Sequence, residues 1–171
     1  MSSAKGAPVT EVQALIGTWR LLSFRILYDD GGVEFPMGAD AEGLIVYTHA
    51  GFMTGALMQR GRPKFSAVRA SVAERGIGSA DEIVAAFNGY FSYFCRFETD
   101  PAQRKLTHRV IGCHLPDWEG RTLERFWQFE DAGDRPRLAL RSAPLSINGR
   151  PACNELKFVR EPDVLASGVG A

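Results

Sequence analysis

Two side chains with useful chemistry, those of His108 and Arg125, fall on strand faces that are otherwise apolar. Alternate residues of a strand share a face, so within the run 105–114 His108 points to the same side as Leu106 and Val110. By the same alternation, Arg125 lies on the apolar face of the next strand-like run. We expect both side chains to point inward, where a guanidinium needs an acidic partner, water or a ligand.

Tyr93 and Asn154 are two further polar residues on apolar strand faces. Tyr93 shares its face with Cys95 and Phe97, and Asn154 lies on the apolar parity of the last strand-like run. A mostly apolar concavity with a few polar groups is the usual composition of a small-molecule site. We therefore predict a small, largely apolar molecule as the partner. The predicted ligand-binding residues are Tyr47, Met58, Phe87, Tyr93, Leu106, His108, Val110, Arg125, Trp127 and Asn154.

His108 and Arg125 are also the predicted catalytic residues if the protein is an enzyme. An imidazole titrates near neutrality and can move a proton, while a guanidinium can bind a carboxylate, ketone or enolate and stabilise an oxyanion. A structural role fits both residues too: His108 hydrogen-bonded to a tyrosine or to the backbone, and Arg125 paired with an acidic neighbour. Tyr47 and Tyr93 fit either hydrogen bonding in a cavity or core packing, and Trp127 either core or cavity wall.

The sequence contains no motif that indicates a metal site or a cofactor site. His108 and His114 share a strand parity but lie ~20 Å apart on a straight strand, so they cannot bind one metal ion. The stretch GIGSAD has neither the preceding strand nor the third glycine of a dinucleotide-binding fingerprint. The sequence also has no phosphate-binding G-K-[ST] loop and no G-x-S-x-G nucleophile elbow. We predict no metal and no cofactor.

Composition narrows the class of partner and the compartment. Lys plus Arg and Asp plus Glu number twenty each, so the formal net charge is zero, and we predict no nucleic-acid or membrane partner. The first residues have no apolar leader, and no segment is long enough to cross a bilayer. Three cysteines without a C-x-x-C pair favour a cytoplasmic location. Whether the protein is a monomer or a homodimer is left open.

Eight short strand-like runs, separated by turns rich in Gly, Pro, Asp and Asn, must position these side chains. Such closely spaced strands predict an antiparallel meander, which can remove its edges by closing into a barrel. The predicted domain covers 11–161, with flexible ends at 1–10 and 162–171. The runs span 18–28, 43–48, 52–59, 93–99, 105–114, 121–130, 137–142 and 154–161.

One helix interrupts the strands. Ser79 followed three residues later by Glu82 is a capping box, and Ile83 and Phe87 recur at helical spacing. We predict a helix from about Ala80 to Asn88, or one turn longer if the chain continues through Asn88 and Gly89, whose apolar side covers a mouth or a flank of the barrel. The segment 60–78 before it receives no assignment.

The chain resembles the bacterial and fungal lipocalin-like domain family over 15–159. The Gly17-Thr18-Trp19 sequence matches the G-x-W signature that opens the first lipocalin strand, and the ordered pieces LIGTWRLLSF, PMGADAEGLIVYTHAGFMTGALM, GRPKF, DEIVAAFNGYFSYFCRFETD, LTHRVIGCHLPDWEG and LKFVRE extend the match. The resemblance implies an all-β fold: a closed antiparallel β-barrel of the calycin kind, with about 8–10 strands, one short helix and an internal cavity. It also implies a barrel floor in which Gly17 allows close approach, Trp19 plugs the end and Arg160 packs across the indole ring.

The resemblance implies more than one kind of role. Some relatives bind apolar small molecules, and others act as cyclases or isomerases in biosynthetic pathways of secondary metabolism. The leading hypothesis is that the cavity binds a small, largely apolar molecule. The alternative is a cofactor-independent isomerase or cyclase that acts on a polyketide- or terpenoid-like substrate in the same cavity. A third hypothesis is a barrel filled by its own side chains that acts through its outer surface.

Overall fold

The computed structural model describes residues 9–74, 78–130 and 133–162. The predicted flexible ends therefore lie outside the described residues, except for Val9, Thr10 and Pro162. A short helix, α1, begins at Val9, two residues before the predicted start of the domain, and runs to Leu15. None of the helices among the described residues is long and apolar enough to cross a bilayer.

The strands form one antiparallel sheet that closes on itself. Each strand pairs with its neighbours in the order β2-β1-β3-β4-β5-β6-β7-β8-β10-β9, and β1 also pairs with β10. Eight of them form a closed barrel, as predicted. The short strands β2 and β9 pair with the C-terminal end of β1 and the N-terminal end of β10, respectively. The elements after α1 are β1 Gly17–Tyr28, β2 Val33–Glu34, β3 Glu42–Tyr47, β4 Phe52–Met58, α2 Ala80–Asn88, β5 Tyr90–Asp100, β6 Lys105–Cys113, a 3-10 helix Pro116–Trp118, β7 Thr122–Glu130, β8 Arg137–Ser142, β9 Leu145–Ile147 and β10 Arg150–Arg160.

Helix α2 has the predicted start and the predicted capping box, and it ends at Asn88, the shorter of the two predicted alternatives. The Ser79 side chain accepts a hydrogen bond from the Glu82 backbone N–H, and the Glu82 carboxylate accepts one from the Ser79 backbone N–H. Phe87 contacts the flank of the barrel, with its ring 4.0 Å from that of His114 just after β6. The helix has no buried residue.

A buried carboxylate on the outer wall joins the two strands of the closing seam. Glu155 on β10 is 1% exposed and lies opposite Arg25 on β1 and Arg141 on β8. Both guanidinium groups donate to it, Arg141 at 2.6 Å. Strand register thus places two cations on one anion, which is the arrangement that a buried charge requires.

One end of the barrel is closed by Trp19, which is fully buried. Its indole N–H donates to the Leu15 carbonyl at 2.8 Å. Helix α1 lies at this end, where Glu11 forms an ion pair with Arg104 in the β5–β6 turn at 2.8 Å. Gly17 has a φ of 137°, and a Cβ there would lie 2.8 Å from the Arg160 guanidinium. The chain can turn from α1 into β1 beneath Arg160 because residue 17 is glycine.

Candidate functional site

The barrel encloses a cavity of about 250 Å³. Four of the predicted residues, Tyr93, His108, Arg125 and Asn154, line it together. They come from β5, β6, β7 and β10, so the inward parity inferred for these strands is confirmed. The remaining lining residues are Phe24, Met37, Ile45, Met53, Gly55, Leu57, Phe91, Leu115, Trp118, Leu140, Leu156 and Phe158.

His108 is held between two tyrosines. Its Nδ1 lies 2.9 Å from the Tyr93 hydroxyl, and its Nε2 lies 3.1 Å from the Tyr47 hydroxyl. The imidazole is fully buried. Burial, and secondly the positive charge of Arg125, lower the pKa of His108 from 6.5 to about 3, so the ring is neutral near pH 7. The structure therefore assigns His108 the hydrogen-bonded core role, although one side of the ring also borders the cavity.

The two tyrosines differ in their access to the cavity. Tyr93 lines it, whereas Tyr47 is 1% exposed and packs edge-on against Phe97 with ring centroids 5.0 Å apart. Burial raises the pKa of both hydroxyls. Both side chains are therefore neutral phenols at ordinary pH, and each can donate one hydrogen bond.

Arg125 brings a positive charge to the cavity wall. One of its Nη atoms donates to the Glu124 carbonyl at 2.9 Å. Among the described residues, no carboxylate lies within salt-bridge distance of this guanidinium, in contrast to Arg25 and Arg141 on the outer wall. Of the two roles that the sequence left open for Arg125, pairing with an acidic neighbour is thus not observed within the described ranges.

Asn154 lines the same cavity from β10, which is separated from the β7 strand of Arg125 by β8. Its backbone N–H donates to the Ser142 hydroxyl at 2.9 Å, and Ser142 is the residue of β8 opposite Arg125. No described residue forms a hydrogen bond with the Asn154 side-chain amide. This amide can both donate and accept, so it adds an adaptable polar group to a site otherwise lined by donors.

Six predicted ligand-binding residues do not line the cavity. Tyr47, Leu106, Val110 and Trp127 point inward but are packed into the core cluster with Trp19. Inward parity does not distinguish a residue that fills the barrel from one that borders its empty part. These four expectations are corrected from cavity wall to core.

The other two, Met58 and Phe87, lie on the outside. β4 buries Met53 and Leu57, so Met58 has the outer parity, and its sulfur lies 3.7 Å from an Nη of Arg62. Phe87 is 43% exposed and stacks on His114. Sequence reasoning could not orient β4, because its apolar residues occupy both parities.

Two loop segments complete the cavity wall. Met37 comes from the β2–β3 connection, and Leu115 and Trp118 come from the segment around the 3-10 helix. Trp118 packs edge-on against Phe91 with ring centroids 5.4 Å apart. Neither connection has a strand parity, so their inward direction could not be inferred from alternation. The sequence signal that could have identified them is the presence of a large apolar residue, Met37 or Trp118, in a loop between two strands.

A closed antiparallel barrel with a largely apolar internal cavity defines a fold class suited to binding small molecules. The family model described as lipocalin-like domain matches residues 16–160, and the chain belongs to that family. Neither a curated protein nor a solved structure matches the chain. In the part of the chain that the structure describes, no group of three or more His, Cys, Asp or Glu side chains could hold a metal ion.

Proposed function

We propose that the protein binds a small, largely apolar molecule in the barrel cavity, with the polar end of that molecule at Arg125. The observation that carries the proposal is a guanidinium on the wall of an apolar cavity with no carboxylate partner among the described residues. A charge in such surroundings is stabilised by an opposite charge or by hydrogen-bond acceptors. A carboxylate or a carbonyl oxygen on the ligand supplies either one.

The cavity volume limits the size of the ligand. An engineered cavity of about 150 Å³ binds benzene, and pockets for drug-sized molecules span about 300–1,000 Å³. The observed volume of about 250 Å³ lies between these values. We therefore expect a ligand of roughly two fused rings, or a short aliphatic chain, with one polar group.

Calorimetric titration with 2-naphthoic acid tests the proposal. Arg125→Met retains much of the side-chain length but removes the charge, and we expect it to weaken binding at least about tenfold. The matched control is Arg109→Met, since Arg109 lies on the exposed outer face and pairs with Glu98; this variant should bind like the parent. Uncharged naphthalene should bind Arg125→Met at least as well as the parent, which shows that the cavity is intact. Equal affinity of Arg125→Met and parent for the acid would contradict the proposal.

The isomerase or cyclase alternative uses the same cavity but receives less support from the geometry. Both ring nitrogens of His108 are engaged by tyrosines, and its pKa of about 3 makes the imidazole a weak base. A proton-transfer role needs a pKa nearer the working pH. The alternative predicts product formation from a polyketide- or terpenoid-like substrate by the purified protein. Turnover that is lost in His108→Gln would favour it over binding alone.

We also propose a cytoplasmic location. Its support is the state of the three cysteines: Cys95 is buried, Cys113 and Cys153 are half-buried, and none forms a disulfide. Reduced thiols are the usual state of cysteines in that compartment. Fractionation of the producing cells tests this location directly, and recovery of the protein outside the cytoplasm would contradict it.

A further inference from the structure

We propose that Tyr47, acting through His108, fixes Tyr93 as a hydrogen-bond donor toward the cavity, so that the polar group of the ligand is an acceptor oxygen of a carbonyl or carboxylate. The part that concerns the ligand rests on the proposed function. The part that concerns the direction of the hydrogen bonds does not, and it can be measured on the free protein.

The inference follows from the hydrogens available to the three side chains. A neutral imidazole has one N–H donor and one acceptor nitrogen. His108 uses Nε2 toward Tyr47 and Nδ1 toward Tyr93. One tyrosine must therefore donate to the ring and the other must accept from it. In either arrangement, the accepting tyrosine has a hydroxyl hydrogen that the imidazole cannot bind.

The surroundings of Tyr47 select one of the two arrangements. If Tyr47 accepted from Nε2–H, its own hydrogen would be buried without an acceptor, because the described residues offer its hydroxyl no partner other than His108. A buried donor without a partner is costly. If Tyr47 instead donates to Nε2, the remaining hydrogen belongs to Tyr93, which lines the cavity. Water or a ligand can accept it there, so His108 carries its proton on Nδ1.

The selected arrangement makes the polar part of the cavity rich in donors. The Tyr93 hydroxyl accepts from His108 Nδ1 and offers its hydrogen to the cavity, and a hydroxyl that already accepts a hydrogen bond is a stronger donor. The Arg125 guanidinium on the same wall is also a donor. A carbonyl or carboxylate oxygen accepts from both. An alcohol also brings a hydrogen of its own, for which the Asn154 amide oxygen is the acceptor on the cavity wall, so it uses only part of the donor set, and a hydrocarbon brings none of these interactions.

The first test is nitrogen-15 NMR of histidine-labelled free protein. We expect His108 to show a protonated Nδ1 and an unprotonated Nε2 near neutral pH. The variants His49→Gln and His114→Gln, which change histidines outside the cavity, identify the His108 signals by elimination. In Tyr47→Phe the donor to Nε2 is lost, so the population with a proton on Nε2 should rise. A proton on Nε2 in the parent protein would overturn the assigned direction, and an unchanged tautomer population in Tyr47→Phe would overturn the role assigned to Tyr47.

The second test compares 2-acetylnaphthalene with 2-ethylnaphthalene, which has a similar shape but no acceptor oxygen. Calorimetric titration of Tyr93→Phe should show about tenfold weaker binding of the ketone, the effect expected for one lost hydrogen bond. Binding of the hydrocarbon should be unchanged, which also shows that the variant is folded. Equal losses for both compounds would overturn the donor role of Tyr93. If neither compound binds the parent protein, the proposed function fails for this ligand class, while the NMR result still decides the direction of the hydrogen bonds.

Discussion

The guanidinium of Arg160 lies over the indole ring of Trp19, 5.5 Å from the ring centroid, and donates hydrogen bonds to two backbone carbonyls. These carbonyls belong to Ala14 and Ile16, at the end of α1 and just before β1. Arg160 thus covers the Trp19 ring at the closed end of the barrel and binds the backbone of the segment that connects α1 to β1. Its removal tests how much this contact stabilises the closed end.

Arg160→Ala should lower the free energy of unfolding by about 2 kcal/mol, since two part-buried carbonyls lose their donors and the indole loses a cation–π contact. Urea unfolding followed by far-ultraviolet circular dichroism measures the change. Arg109→Ala serves as the control, because it removes an exposed arginine whose ion-pair partner among the described residues is the exposed Glu98, and it should leave the unfolding midpoint unchanged. Equal midpoint shifts for the two variants would show that Arg160 has no special role.

Gly17→Ala should be destabilising for two reasons that can be separated. The φ of 137° is unfavourable for alanine, and the added Cβ would lie 2.8 Å from the Arg160 guanidinium. Gly120→Ala is the control, since Gly120 also has a positive φ, 77°, but nothing within 4 Å of its Cβ position. We expect a loss of about 2–3 kcal/mol at position 17, larger than the loss at position 120. Thermal unfolding of the three proteins side by side gives the comparison.

Stability should fall as the pH is lowered from 7 to 5. The pKa of His108 is about 3 in the folded protein against 6.5 for the ordinary group, so the unfolded chain binds a proton that the folded protein does not. The neutral ring therefore stabilises the fold fully above pH 6.5, and this stability is lost as the pH falls toward 3. The expected loss between pH 7 and pH 5 is about 2 kcal/mol.

Urea unfolding at pH 5, 6 and 7 measures this dependence in the parent protein and in His108→Gln. The window lies above the range in which ordinary carboxylates titrate, so their contribution is small. The variant should show a flatter dependence than the parent, whatever its absolute stability. An identical slope in both proteins would mean that His108 is protonated equally in the folded and unfolded states.

Two methionines on one strand test the orientation of β4. Met53 is 3% exposed and borders the cavity, whereas Met58 lies on the outer face beside Arg62. Met53→Ala should lower the free energy of unfolding by about 2–4 kcal/mol, and Met58→Ala by much less. Similar losses in a denaturant titration would contradict the strand register.

The inward or outward direction of a side chain could be predicted from the sequence where the two faces of its strand differ in polarity. The inward direction of His108 and Arg125 followed from the polar residues on the opposite faces of β6 and β7. The start of helix α2 was predicted correctly because its capping box is a local signal that involves only Ser79 and Glu82, while its end, which the sequence left open, lies at Asn88, the shorter alternative. In these elements, local pattern and tertiary packing favour the same arrangement.

Other parts of the site depend on tertiary structure that alternation does not encode. The outer faces of β1, β3 and β4 carry exposed apolar residues such as Leu22, Leu44 and Phe52, so in the sequence both faces of these strands have the apolar pattern of a core-facing surface. Leu106 and His108 share a face, yet only His108 borders the cavity. Which inward residues fill the barrel and which leave it hollow is decided by how eight strands meet.

The pairing of β1 with β10 has a consequence for folding. Arg25 and Glu155, which meet on the outer face of this seam, are 130 residues apart in the chain. Most other strand pairs consist of strands that follow each other in the chain, so the loss of entropy on closing their loops is small. The β1–β10 pair must instead bring together residues from nearly opposite ends of the domain. Such a high contact order makes closure slow, and until it occurs β1 and β10 each expose an unpaired edge that can associate with another chain.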